Sequence, residues 1–110
     1  MSNNDEYTNY VLDQLMPLGV VLTSRLFGGT LLKVENKQLG VVLQGRLYFK
    51  VKESELVKKF EAMDSEPFEY ERSDRDEPVR AKAWLSVPEE ILEDQKQLVA
   101  LAYEVLLQGS

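Results

Sequence analysis

Two segments of strict alternation gather the side chains best able to grip a charged partner. In Arg46-Leu47-Tyr48-Phe49-Lys50-Val51, a strand sends Leu47, Phe49 and Val51 one way and Arg46, Tyr48 and Lys50 the other. Val79 to Val87 repeats the pattern, with Val79, Ala81, Ala83, Leu85 and Val87 opposite Arg80, Lys82, Trp84 and Ser86. If these strands share a sheet, its outer face interleaves basic groups with aromatic rings, a surface suited to an acidic partner or to stacking. The plainer reading is a solvated face on which Lys and Arg pair across strands with Glu35, Glu69 or Glu71, each pair contributing roughly 0.2 to 1 kcal/mol. Trp84 argues against that reading, because a tryptophan on a polar face usually covers something or is covered by a second subunit. The candidate partner-binding residues are therefore Arg46, Tyr48, Lys50, Arg80, Lys82 and Trp84. Arg25 and Phe27, beside a glycine pair, are second choices.

No catalytic constellation stands beside them. The chain has neither cysteine nor histidine, which removes thiolate nucleophiles, imidazole bases, disulfides and the usual zinc ligands together. Carboxylates, tyrosines, serines and lysines remain, and no spacing singles out an acid–base pair, so no enzyme and no cofactor are expected. Gly28-Gly29 invites a phosphate-loop reading but lacks the lysine and the helix that must follow. It reads instead as a structural turn between strands, where glycine reaches dihedrals closed to other residues. Asp74, Asp76 and Glu77 crowd one loop without the spacing of a calcium-binding loop, and no metal is expected there.

The elements that must position these residues follow from periodicity. Asn3, Asn4 or Asp5 caps a first helix in which Tyr7, Val11, Leu12 and Leu15 recur at helical spacing, and Pro17 with Gly19 stops it. Strand-like segments run over Val20 to Phe27, Thr30 to Glu35, Leu39 to Leu43 and Arg46 to Val51, joined by tight turns. Leu39 to Leu43 has almost no polar face, which predicts a central strand covered on both sides or part of a dimer seam. Leu56, Val57, Phe60 and Met63 mark a second helix. Strands over Phe68 to Arg72 and Val79 to Val87 then flank the polar loop Ser73 to Pro78. Pro88 opens a short helix, and Asp94 with Gln97 resembles a capping box for a longer one burying Leu98, Leu101, Ala102, Val105 and Leu106. The predicted order is α-β(4)-α-β(2)-α, an α+β fold in a single domain over residues 1–110.

The net charge of -6 repels phosphate backbones at long range, so direct nucleic-acid binding is not expected. No apolar run reaches the roughly 20 residues that cross a bilayer, and the N-terminus lacks the order of a signal peptide. A cytoplasmic protein without membrane contact is the expectation.

One ordered series of segments carries a family resemblance. It comprises Leu18-Gly19, Arg25-Leu26-Phe27-Gly28-Gly29, Gly45 to Val51, Ser65-Glu66-Pro67-Phe68-Glu69-Tyr70, and Val87-Pro88-Glu89-Glu90-Ile91-Leu92-Glu93-Asp94. Together they resemble the N-terminal domain of the TfoX (Sxy) competence regulators. Leu26 replaces the family's methionine and Phe49 its leucine. Lys52 stands where the family often has a helix-capping aspartate, so the cap moves to Ser54 or is lost at a cost of about 1 kcal/mol. A charged loop, Ser73 to Pro78, replaces a Gly-Lys turn, and Trp84-Leu85 replaces paired tyrosines. The resemblance implies a two-layer antiparallel sheet flanked by helices, akin to the secretion-chaperone-like fold and often a homodimer. It further implies a stand-alone relative of the N-terminal domain, a regulatory or adaptor protein without catalytic residues. Such a protein acts by protein-protein contact in transcriptional control of DNA-uptake genes, together with the cyclic-AMP receptor protein. The alternative is a non-regulatory binding module, with a small-ligand pocket or a chaperone-like dimer.

Overall fold

The computed structural model describes residues 3–26, 28–70 and 79–108, with side chains over 6–26, 28–67 and 84–108. Its elements are helix α1 (Asn3–Gln14), a 3-10 turn (Met16–Leu18), strands β1 (Leu22–Leu26), β2 (Gly29–Val34), β3 (Lys37–Leu43) and β4 (Arg46–Lys50), helix α2 (Ser54–Ala62), strands β5 (Pro67–Tyr70) and β6 (Val79–Ser86), and helices α3 (Glu89–Glu93) and α4 (Gln95–Leu107). The strands form one antiparallel sheet in the order β1-β2-β3-β4-β6-β5. This is the α+β order read from the sequence, with the last helical segment divided in two at Asp94.

The helices lie on one face because their apolar stripes and one strand parity meet there. Val11 of α1, Leu15 just after it, Leu56 and Phe60 of α2, Leu92 of α3, and Leu98, Leu101, Ala102 and Val105 of α4 pack with Leu32, Val42, Leu47, Phe49 and Leu85 of the sheet. Each of the larger side chains contributes about 1.5–3 kcal/mol by leaving water. Asp94 starts α4 as the capping box predicts: its side chain accepts from the Gln97 N–H at 3.3 Å and from the Gln97 amide at 2.7 Å. Those bonds hold the Asp94 carboxyl below its ordinary pKa.

At α2 the outcome differs from a Ser54 cap. Ser54 is the first helical residue, Glu53 holds the cap position, and no side chain of the first turn supplies the capping bond. Gln108, beyond the end of α4, bonds instead to the backbone just before the helix. Its Oε1 accepts from the N–H groups of Lys52 (2.7 Å) and Glu53 (3.1 Å), while its Nε2 donates to the Lys50 carbonyl at 2.6 Å. One half-buried amide thus ties the β4–α2 connection to the last helix.

β3 is the central strand, and its register explains how it stays buried on both sides. Pairing with β2 passes from Leu32↔Gly40 to Lys33↔Gln38, a bulge that leaves Leu39 as the extra residue. Leu39 and Val42 consequently join the helix-side core, whereas Val41 and Leu43 face the other way and are equally buried. The β1–β2 turn uses Gly28 at φ +79, and Gly29 follows in β2 against β3, where a Cβ would stand 2.3 Å from the Val42 carbonyl oxygen. The glycine pair therefore serves one conformational need and one packing need. The loop Ser73 to Pro78 lies outside the described residues.

Candidate interaction surface

Pairing of β4 with β6 brings the two alternating segments side by side, as Tyr48↔Ser86, Phe49↔Leu85 and Lys50↔Trp84. Residues opposite each other share a face, so Arg46, Tyr48, Lys50, Trp84 and Ser86 occupy the side away from the helices. Beside them on that side stand Leu31 of β2 and Val41 and Leu43 of β3, through the pairs Leu31↔Val41, Val41↔Tyr48 and Leu43↔Arg46.

The result is a second apolar cluster rather than a uniformly polar face. Leu31, Val41, Leu43 and Trp84 are its buried members, with Leu26 and Tyr48 packed against it. Trp84 is only 7% exposed and Val41 is fully buried. The aliphatic neighbours were missing from the sequence-based picture of this face. The consecutive leucines Leu31-Leu32 were the signal, since adjacent residues of a strand serve opposite sides.

Polar groups border the cluster, each with an identifiable partner. The Arg46 guanidinium lies 3.5 Å from the Glu66 carboxylate, and both side chains are exposed. A hydrogen bond with the Tyr48 side chain pushes the Arg46 pKa up; burial opposes it, and the fields of Tyr48 and Glu66 add to the rise. Such an exposed pair contributes about 0–1 kcal/mol. Its partner is Glu66; the side chains of Glu69 and Glu71, also expected as partners from the strands, lie outside the described residues. Lys50 Nζ donates to Gln38 Oε1 and sits 5.4 Å from the centre of the Trp84 ring, within cation–π range. Burial, then repulsion from Lys52, lowers the Lys50 pKa. Ser86 is buried and satisfied: its Oγ accepts from the Glu66 N–H at 2.9 Å, and its carbonyl accepts from Ser65 Oγ at 2.6 Å.

The remaining candidates are placed differently. Arg25 pairs with Thr30, which pairs with Val42, so Arg25 belongs to the helix-side parity at the sheet edge and is not gathered with Arg46 and Lys50. The β6 backbone carries Arg80 and Lys82, but their side chains, and Phe27 as a whole, lie outside the described residues. Asp74, Asp76 and Glu77 also lie outside them. Among the described residues no group of carboxylates converges to hold a metal, and no helix is long and apolar enough to cross a membrane.

The exposed chemistry therefore comprises a guanidinium, a phenol and an ammonium on one strand, bordering a buried apolar cluster. It can bind and orient carboxylates; it offers no nucleophile with an adjacent base. A family model described as the TfoX N-terminal domain matches residues 13–108 of the chain. No curated protein matches it.

Proposed function

Because the chain belongs to the TfoX N-terminal domain family, we propose that it is a small regulatory or adaptor protein acting by protein-protein contact in the transcriptional control of DNA-uptake genes. The observation that carries this reading is the match over residues 13–108, nearly the full 110 residues, to a domain family that is non-catalytic. A transcription factor, with the cyclic-AMP receptor protein as first candidate, is the proposed partner. Arg46, Tyr48 and Lys50 are its proposed docking residues, since Arg46 is exposed and the other two are half-buried. Self-association is assigned to β1: it is an edge strand, Leu22 to Arg25 are exposed, and Val20 and Met16 beside it are exposed apolar residues.

The test is a crosslinked pull-down from native cells, comparing the wild-type bait with an Arg46→Glu/Lys50→Glu variant shown by circular dichroism to be folded. Enrichment of a transcription factor or RNA polymerase that disappears with the charge reversal supports the adaptor reading and its surface. Equal retention by both baits rejects the surface. A folded bait that captures only itself rejects the adaptor and leaves the ligand-binding module.

A further inference from the structure

Three lysines from separate places in the chain converge on one cavity. Lys37 opens β3, Lys50 closes β4 and Lys52 follows it; with Gln38, Gln108 and Leu106 of α4 they line a hollow of about 280 Å³. The chain has 19 acidic against 13 basic residues, yet among the described residues lining this cavity there is no carboxylate. The sequence neighbours Glu35 and Glu53 line adjoining hollows, one that shares Lys37 and Leu106 with this cavity and one that shares Gln108.

Two of the three ammonium groups are held by neutral partners. Lys37 Nζ donates to the Leu106 carbonyl at 3.1 Å, and Lys50 Nζ donates to Gln38 Oε1. An ammonium carries three donors, so each bond leaves capacity for a further acceptor. Bringing like charges together costs free energy; burial first, and repulsion from Lys52 second, lower the Lys50 pKa. A multivalent anion in the hollow removes the repulsion and accepts several charge-assisted hydrogen bonds at once. The walls are prearranged for it, because Gln108 fixes the backbone of Lys50, Lys52 and Glu53 against α4.

We infer that the cavity between the start of β3, the end of β4 and the end of α4 is a binding site for a small multivalent oxyanion, a polycarboxylate or a phosphate ester, held by Lys37, Lys50 and Lys52. The inference stands apart from the regulatory role, since it concerns a ligand of the isolated chain and needs no partner protein.

The experiment uses the full chain, titrated calorimetrically with citrate and separately with pyrophosphate, at an ionic strength held constant with sodium chloride. Saturable binding of at least one probe is expected, weakening as salt is raised. Lys50→Gln/Lys52→Gln should weaken it about tenfold or more, from the usual strength of a hydrogen bond to a charged group. Lys58→Gln, at an exposed position of α2, should leave it unchanged. Tighter binding of citrate or of pyrophosphate distinguishes a carboxylate ligand from a phosphate one. Amide chemical-shift changes in the wild type should localise to Gln38, Lys50, Lys52 and Leu106, a readout independent of how the variants fold. No binding of either probe at millimolar concentration, shifts elsewhere, or equal affinity in the double variant overturns the inference.

Discussion

Truncating Trp84 to alanine should destabilise the fold rather than erase a docking site. Trp84 is 7% exposed and packs on the face shared with Leu31, Val41 and Leu43. A buried indole withdraws roughly 200 Å² from water, worth about 5 kcal/mol at about 25 cal/mol per Å². Measured truncations of large aromatic residues in cores cost about 3–5 kcal/mol. The Lys50 ammonium, 5.4 Å from the ring centre, adds about 0.5–1 kcal/mol that is lost with the ring. Against a total stability of about 5–15 kcal/mol, Trp84→Ala should therefore remove about a fifth or more, lowering the melting temperature by more than about 10 °C. Trp84→Phe, which keeps an aromatic body, should lose less than half as much. Urea unfolding followed by circular dichroism measures both variants. Because the chain has a single tryptophan, wild-type fluorescence supplies an unperturbed check: emission should be blue-shifted and poorly quenched by iodide. A Trp84→Ala cost below about 1 kcal/mol, or emission at the wavelength of free indole in water, refutes the placement of this residue.

Two further perturbations follow from single contacts. Gln108→Ala removes three hydrogen bonds to the Lys50–Glu53 backbone; at solvent-exposed values this costs about 1–2 kcal/mol. Hydrogen exchange should show the first turn of α2 losing protection before the sheet does, and a uniform loss would contradict the clamp. Gly29→Val forces a Cβ to within 2.3 Å of the Val42 carbonyl and 2.5 Å of the Leu43 side chain, so β2 must separate from β3. A loss of about 3 kcal/mol or more is expected on thermal melting, and a melting temperature within a degree or two of wild type would remove the packing argument.

Local pattern predicted the elements well where one side of an element meets water. The alternation of Arg46 to Val51 and the stripes Leu56/Phe60 and Leu98/Leu101/Val105 appear in the structure on the faces expected of them. The β2–β3 turn shows the limit of such reading. The turn is Glu35-Asn36, both with positive φ, and β3 begins at Lys37, two residues before the apolar run that suggested its start. Polar residues at a strand end look like loop in the sequence, although the backbone ladder includes them. The tie at the start of the second helix was illegible for another reason: Gln108, which accepts from Glu53, lies 55 residues beyond it, and no short-range motif joins them.

The sequence by itself determined the element order, the absence of thiol and imidazole chemistry, the family to which the chain belongs, and which residues of β4 share a side. Tertiary structure decided what each side is for. Parity along a strand assigns Trp84 to the face away from Leu85, but burial depends on neighbours contributed by other strands, and those came from β2 and β3 through the pairings Leu31↔Val41 and Val41↔Tyr48. The same holds for the lysine cavity, where Lys37 and Lys50 meet at the end of α4 only because β3 pairs with β4 and the last helix packs across them. Side-chain direction is a property of the local backbone, whereas solvent exposure and electrostatic environment are sums over everything nearby, and proximity is fixed by the fold.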